Sequence, residues 1–390
     1  MSENRISICL DNQVLRHHGA VAGTTGYGKS NINSNIVMAA IKMGYCVFLF
    51  DHKPDYQDLE KSNDETNLFA DPNWEPQGFD CKLRYFSLSD DKSRKANANE
   101  KLINVYASSF DPYQLGSALF HKRGEEVPQE NMTLLLNGYK DKQEEYNKYT
   151  WPLKDAIEWI NKLSKPEMSN ILGGGSISEN SMRPMLRKLK ARSLPWMDRM
   201  EDYTEPGQLP ALGSPQKCLA LEIDVPSLIK GKTVNVIRVG QSQGRDYGLF
   251  LSFLLERVYN AKASNPDLPP ILYLIDEAQD IFSGSKQLRE ACEDMLDANM
   301  RKGRSLNIAF WYGLQRFSAL PESISININS RIIMAHKQAD EVKNALPGAS
   351  KEILGLVTQL KRGEALVSLF GSTSIVQAKM HPSKALLTKE

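Results

Sequence analysis

The stretch Gly23-Thr24-Thr25-Gly26-Tyr27-Gly28-Lys29-Ser30 has the spacing Gly-x4-Gly-Lys-Ser, and it decides how the rest of the chain reads. Backbone N–H groups in such a loop can cradle phosphate oxygens, and the glycines permit its tight path. Upstream, His18-Gly19-Ala20-Val21-Ala22 is a small apolar strand ending at Gly23. Downstream, residues 30–43 carry Ile32, Ile36, Val37, Ala40 and Ile41 at helical spacing. The positive end of that helix points at a bound anion. Lys29 is placed to reach β- and γ-phosphates, and Ser30 to hold Mg²⁺. The plain alternative is a glycine turn with a surface lysine. A strand before the loop and a helix after it argue against that.

Working outward, Cys46 to Phe50 is a continuous apolar run closed by Asp51, as expected of a strand buried on both faces of a parallel sheet. Further on, Ile271-Leu272-Tyr273-Leu274-Ile275 delivers Asp276 to its C-terminal end, the edge where ligands bind in open α/β sheets. Asp276 is placed to order Mg²⁺, and Glu277 to polarise water for in-line attack on the γ-phosphate. Two acids opening a helix would also suit its dipole, but an apolar strand and a glycine loop in the same chain outweigh that reading. A third strand, Ile308 to Gly313, ends at Leu314-Gln315-Arg316. An amide there can sense the γ-phosphate or simply be solvated, and the sequence leaves both open. Arg301, Arg304, Arg316 and Arg331 cluster late, and an arginine lent by a neighbouring subunit would stabilise phosphoryl transfer. The sequence does not say which.

At 41% hydrophobic and 24% charged, the 390 residues have the composition of a globular protein with a substantial core. A net charge of +1 argues neither for nor against nucleic acid. Five scattered cysteines, with no CxxC pair, suggest a reduced, intracellular protein. No apolar run approaches the roughly 20 residues of a membrane helix, and the N-terminus lacks a signal-peptide core. The expected location is therefore cytoplasmic.

Ile6, Ile8 and Leu10 alternate as a short strand leading into Val14 and Leu15. Residues 57–216 are polar and rich in helix formers, with one strand near 83–88 and amphipathic patterns over 132–163 and 182–200. Gly173-Gly174-Gly175-Ser176 breaks the two patterns. Sheet-like segments return at 218–223 and 234–239, followed by a helix over 247–262, the strand 271–275, a helix over 287–300 and a strand over 306–312. Further strands are expected at 332–335, 364–370 and 374–379.

The order of these motifs resembles the HerA/FtsK superfamily of DNA-pumping ATPases, HerA in particular. His17 to Asn31 is similar to its phosphate loop, with Arg16-His17 before it and Tyr27 where Ser is usual. Phe50-Asp51-His52-Lys53-Pro54-Asp55-Tyr56 resembles its second-strand motif, with Asp55 where Glu is common. Asp276-Glu277-Ala278-Gln279 resembles its Walker B motif. Arg301 to Arg316 and then Asn329 to Ile333 are similar to its arginine, sensor and post-sensor segments, and Leu360 to Ala365 resembles its C-terminal strand entry. The likeness covers 14–56 and 218–380.

The resemblance implies an α/β fold, a RecA-like P-loop NTPase core with a mainly parallel sheet. The core would begin in residues 1–56 and resume in 217–390, with 57–216 as a mostly helical insertion. ATP and Mg²⁺ would be the cofactors. Gly23, Thr24, Thr25, Gly26, Tyr27, Gly28, Lys29, Ser30 and Asn31 would hold the nucleotide, and Ser30 and Asp276 the metal. Glu277 would be the catalytic carboxylate, aided by Lys29, with Gln315 as sensor and Arg304 or Arg331 as inter-subunit arginines. A hexameric ring around double-stranded DNA is implied, acting with a nuclease or other effector partner. HerA chains usually carry an N-terminal β-barrel, whereas only 22 residues precede Gly23, so the likeness is to the motor core without it.

Basic residues Arg183, Arg187, Lys188, Lys190, Arg192 and Arg199 lie on an expected helix as a phosphate-contacting face or a solvated one. Gly173 to Gly175 and Gln241 to Arg245 are candidate pore or interface loops. The leading functional expectation is a DNA translocase. An ATPase scaffold that gates an effector in an anti-phage complex is the second, and a genome-packaging or conjugative coupling ATPase the third. Membrane helices, usual in coupling proteins, are not found. A small-molecule kinase fits worst, because Glu277 beside Asp276 suits water activation.

Overall fold

The computed structural model describes residues 10–69, 71–89, 97–120, 124–191, 194–202, 217–240, 244–282, 286–336 and 338–388. The chain opens with a short helix α1 (Asn12–Leu15), then β1 (Gly19–Ala22), α2 (Lys29–Lys42) and β2 (Cys46–Asp51). Next come β3 (Lys82–Ser87), β4 (Lys101–Leu102), α3 (Pro112–Leu119), α4 (Glu126–Glu145), α5 (Leu153–Lys162), α6 (Lys165–Ile171) and α7 (Glu179–Ala191). Strands β5 (Met200–Asp202) and β6 (Lys217–Leu219) precede α8 (Val225–Leu228), β7 (Thr233–Arg238), α9 (Gly244–Ser264) and β8 (Ile271–Ile275). The remainder is α10 (Lys286–Gly303), β9 (Ile308–Leu314), α11 (Glu322–Ser325), β10 (Ser330–Met334), α12 (Ala339–Ala345), α13 (Lys351–Val357), β11 (Glu364–Ser368) and β12 (Val376–Lys379).

Ten strands form one sheet in the order β12-β11-β10-β1-β9-β8-β2-β7-β3-β4. From β10 to β4 every pairing is parallel, and β11 and β12 close the other end antiparallel. The expected α/β class with a mainly parallel sheet is borne out. The P-loop strand β1 does not touch β8, because β9 lies between them.

The apolar runs are continuous because both sheet faces are covered. Along β2, Cys46, Phe48 and Phe50 enter one core, while Val47 and Leu49 enter the other. The second core is closed by α2 through Ile32, Ile36, Val37 and Ile41. The first is closed by α9 and α10, and its rings form a ladder across β2, β8 and β9. Phe48 and Tyr273 lie 5.4 Å apart between centroids, and Tyr273 and Phe310 4.9 Å. Buried residues of α3, α4, α5 and α7 join this same core, with Trp196 packed on Phe110 and on Phe250 of α9. Residues 57–216 thus contribute β3 and β4 to the sheet as well as helices that cover it.

Several sequence expectations are corrected. Val14 and Leu15 lie in α1, which Asp11 caps by accepting from Val14 N at 2.8 Å. The residues before Leu10 lie outside the described ones. The segment 218–223 is no strand of the central sheet. Only its start is extended, in β6, paired with β5 in a separate ribbon. It ends against α8, where Asp224 caps Ser227 N and Pro226 opens the helix. The pattern over 132–163 is two helices, α4 and α5, separated by residues 146–152. Among the described residues no helix is long and apolar enough to cross a membrane.

Candidate active site at the C-terminal sheet edge

Parallel strands carry their C-terminal ends to one edge, so β1, β8, β9 and β10 deliver their following residues to the same place. Gly23 N donates to Leu314 O at 3.1 Å, and Thr24 N and Oγ1 both donate to Ala335 O, at 3.3 and 3.1 Å. The P-loop is therefore fastened to the tips of β9 and β10. Gly28 caps α2 with φ 104, a left-handed conformation that glycine adopts without strain. No side chain caps that helix, so its first N–H groups remain available to an anion.

Lys29 is buried at 7% exposure, and its Nζ lies 3.0 Å from Glu277 Oε1 and 3.9 Å from Asp276 Oδ1. Asp276 and Glu277 sit where expected, immediately after β8. Glu277 has φ 49, uncommon for a residue with a side chain, and this turn aims its carboxylate back toward the P-loop. Oε1 also meets Lys53 Nζ at 3.5 Å. Oε2 accepts from the amides of Gln279 and, at 2.9 Å, Gln315. Burial alone would raise the Glu277 pKa, but Lys29, the Gln279 hydrogen bond and Lys53 bring it below the ordinary carboxylate value.

Asp276 is held on both oxygens. Oδ1 accepts from Asn33 Nδ2 at 3.2 Å and Glu277 N at 3.0 Å, and Oδ2 from Tyr56 OH at 3.1 Å. Burial pushes its pKa up, against the opposing charge of Lys29. Gly313 of β9 faces this carboxylate so closely that a Cβ there would lie 2.4 Å from Oδ1. Ser30 Oγ donates to Asp55 Oδ2 at 2.7 Å. Asp55, largely buried and facing the charge of Asp276, has its pKa pushed up to about 6. Ser30, Asp55 and Asp276 offer a hydroxyl and two carboxylates, hard oxygen donors of the kind Mg²⁺ takes.

The loop after β2 is folded by Asp51. Its carboxylate accepts from Gln57 Nε2 at 2.6 Å, Asp55 N at 3.2 Å and Tyr56 N at 3.3 Å. This turn carries Lys53, Asp55 and Tyr56 to the site. His52 pairs with Asp280 at 3.0 Å.

Sequence reasoning missed the roles of Asn33, Lys53, Tyr56 and His336. Asn33 lies four residues after Lys29, one helical turn on, and that spacing could have found it. His336 pairs with Gln315 O at 3.1 Å from just beyond β10, a relation no spacing foretells.

A family model described as the central domain of helicase HerA matches residues 1–258. The chain belongs to the HerA central-domain family. Comparison with solved structures finds the bacterial conjugative coupling protein TrwB, at 14% identity and TM-score 0.58, covering 94% of this chain and 86% of that one. A TrwB structure described as a complex with ADP and Mg²⁺ is similar at the same identity and TM-score, covering 95% and 86%. VirB4 of Thermoanaerobacter pseudethanolicus is similar at 13% identity and TM-score 0.57, covering 93% and 89%. These likenesses show the P-loop NTPase fold. No curated protein sequence matches.

In this HerA-family chain the arginines expected to act between subunits lie at the opposite, N-terminal ends of the strands. Arg304, before β9, is exposed and donates to His17 Nε2 at 2.7 Å, and the His17 ring stacks on Phe370. Arg331, at the start of β10, lies over the Phe317 ring. It donates to Ala345 O at 2.8 Å and Ser325 O at 3.1 Å. Arg301 pairs with Asp297. Arg316, next to Gln315, is exposed at the active edge.

On α7, Met185, Leu186 and Leu189 face the core while Arg183, Arg187, Lys188 and Lys190 are exposed. Lys188 pairs with Glu125 and Arg183 with Glu179. Arg192 and the loop 241–243 lie outside the described residues. Gly173 to Gly175 form an exposed turn after α6.

Proposed function

We propose that this chain is the ATP-hydrolysing subunit of a ring-forming DNA translocase. The observation that carries the reading is the arrangement around Glu277, with the P-loop lysine on one carboxylate oxygen and the Gln315 amide on the other. In this reading 1–56 and 217–390 carry the nucleotide-binding motifs of the ATPase core, and 57–216 is a mostly helical insertion that also lends β3 and β4 to the sheet. The P-loop from Gly23 to Asn31 wraps the phosphates, and Lys29 leaves Glu277 to reach their β/γ oxygens. Glu277 then accepts a proton from water and aligns it in line with the γ-phosphorus. Gln315 holds Glu277 and reports phosphate loss through His336 to the end of β10. Ser30 and Asp276, with Asp55 beside them, would hold Mg²⁺, which would neutralise phosphate charge there.

The family match supports the second half of the proposal, since the matching model is described as the central domain of helicase HerA. TrwB is a conjugative coupling protein, and its fold spans nearly all of this chain. Of Arg304 and Arg331, Arg304 is the exposed one and the better placed to reach a neighbouring subunit. Arg331 is already committed to carbonyls of its own chain. An effector such as a nuclease would dock on the assembled ring.

Steady-state ATP turnover with and without duplex DNA, across a salt series and alongside native mass measurement, tests this. Expected are a multi-subunit ring and DNA stimulation that fades with salt. A monomer with DNA-independent, salt-insensitive turnover overturns the motor reading, while turnover without DNA stimulation in an intact ring favours the scaffold reading.

A further inference from the structure

Two ammonium groups converge on a single oxygen of Glu277, and only one of them belongs to the P-loop. Lys53 Nζ reaches Oε1 at 3.5 Å from the tip of β2, while Lys29 Nζ reaches it at 3.0 Å from α2. Orientation of the carboxylate does not require the second cation, because Lys29, Gln279 and Gln315 already fix both oxygens. Other acids nearby are engaged elsewhere. Asp55 accepts from Ser30, Asp276 from Asn33 and Tyr56, and Asp280 pairs with His52.

The backbone under Lys53 is set firmly. Pro54 follows it, and the Asp51 carboxylate ties down Asp55 N and Tyr56 N just beyond. Its side chain is 37% exposed against 8% for Lys29, so it stands toward the mouth of the site with freedom to move. When Lys29 passes to the phosphates, Lys53 is left as the cation beside Glu277. In the ATPase reading above, that is the place of the attacking water and the terminal phosphate.

We propose that Lys53 is a second phosphate-facing cation, supplied by the same subunit, that binds the γ-phosphate and stabilises the charge developing there. The inference rests on the ATPase reading above and adds a residue to it. A positive charge at this point acts as an arginine finger does, through electrostatics on the transferring group. Because it comes from the same chain, it supports a basal rate that does not depend on a neighbouring subunit.

The test uses a Glu277→Gln background, where hydrolysis is strongly slowed and the ion pair to Lys53 is gone. Dissociation constants for Mg-ATP and Mg-ADP are measured by calorimetry for Glu277→Gln and for Glu277→Gln with Lys53→Met. The proposal expects the added substitution to weaken ATP by about tenfold, one charge-assisted contact, and to leave ADP unchanged. Lys53→Arg in the same background should restore ATP binding. In the wild-type background Lys53→Met should weaken ADP–aluminium fluoride by a larger factor than ATP. An unchanged ratio of ATP to ADP affinity overturns the role of Lys53 while leaving the ATPase reading intact. If Glu277→Gln alone binds neither nucleotide while folded, the ATPase reading fails and the role of Lys53 falls with it.

Discussion

Lys29 Nζ lies 3.0 Å from Glu277 Oε1, so the P-loop lysine and the carboxylate after β8 hold one another across the sheet edge. Both are nearly buried, and each satisfies the charge of the other. Lys29 cannot serve this carboxylate and a phosphate at once, so nucleotide binding exchanges one partner for the other. Lys29→Ala is expected to weaken ATP binding at least about tenfold and abolish turnover. Calorimetric titration and steady-state kinetics read the two effects. Near-native ATP affinity would mean that Lys29 is a structural cation.

Gln315 touches Glu277 Oε2 through Nε2, and its carbonyl is held by His336. Gln315→Ala keeps the carbonyl contact and removes the amide. We expect kcat to fall about 10- to 100-fold with KM little changed, as for an interaction used chiefly in the transition state. Steady-state kinetics separates these, and a rise in KM with kcat intact would place Gln315 in ground-state binding.

Gly313 has no room for a side chain. A Cβ would lie 2.4 Å from Asp276 Oδ1 and 2.8 Å from Asn33 Nδ2. Gly313→Ala is expected to destabilise by about 1–3 kcal/mol and to impair Mg²⁺-dependent turnover, since Asp276 must move. In Gly355→Ala, within α13, a Cβ meets nothing within 4 Å, and a gain of about 0.5–1 kcal/mol is expected. Denaturant unfolding of the two variants gives opposite signs if the packing is as described.

His18 supplies a pH dependence. Its Nε2 donates to Met300 O at 3.2 Å and its Nδ1 accepts from Phe310 N at 3.1 Å, so the neutral ring is fully satisfied. Burial lowers its pKa to about 4 from the ordinary 6.5. Between those values the unfolded chain binds the proton and the folded chain does not, so stability falls as pH drops from 6.5 toward 4. The contribution is on the order of 3 kcal/mol across that window. Unfolding free energies of wild type and His18→Gln should converge as pH falls, and a constant difference would contradict the assignment.

The fold was legible wherever burial on both faces wrote an unbroken apolar run. Ile271 to Ile275 matches β8 residue for residue, and Cys46 to Phe50 falls within β2. Legibility failed where local caps decided, as at Asp11 and Asp224, and where a short apolar segment found a partner outside the sheet, as in β6. The site divides in the same way. Gly28, Lys29, Ser30, Asp276 and Glu277 announce themselves by spacing. Lys53, Tyr56 and His336 come from other strand tips, and only the strand order brings them to the carboxylates.

The most direct test of the account is ATP hydrolysis by Glu277→Gln, measured together with ATP binding. The substitution keeps the side-chain shape and the buried setting but removes the base. Turnover is expected to fall by about 10²–10⁴-fold, the usual worth of a positioned general base, with ATP still bound. Hydrolysis at the wild-type rate would contradict it.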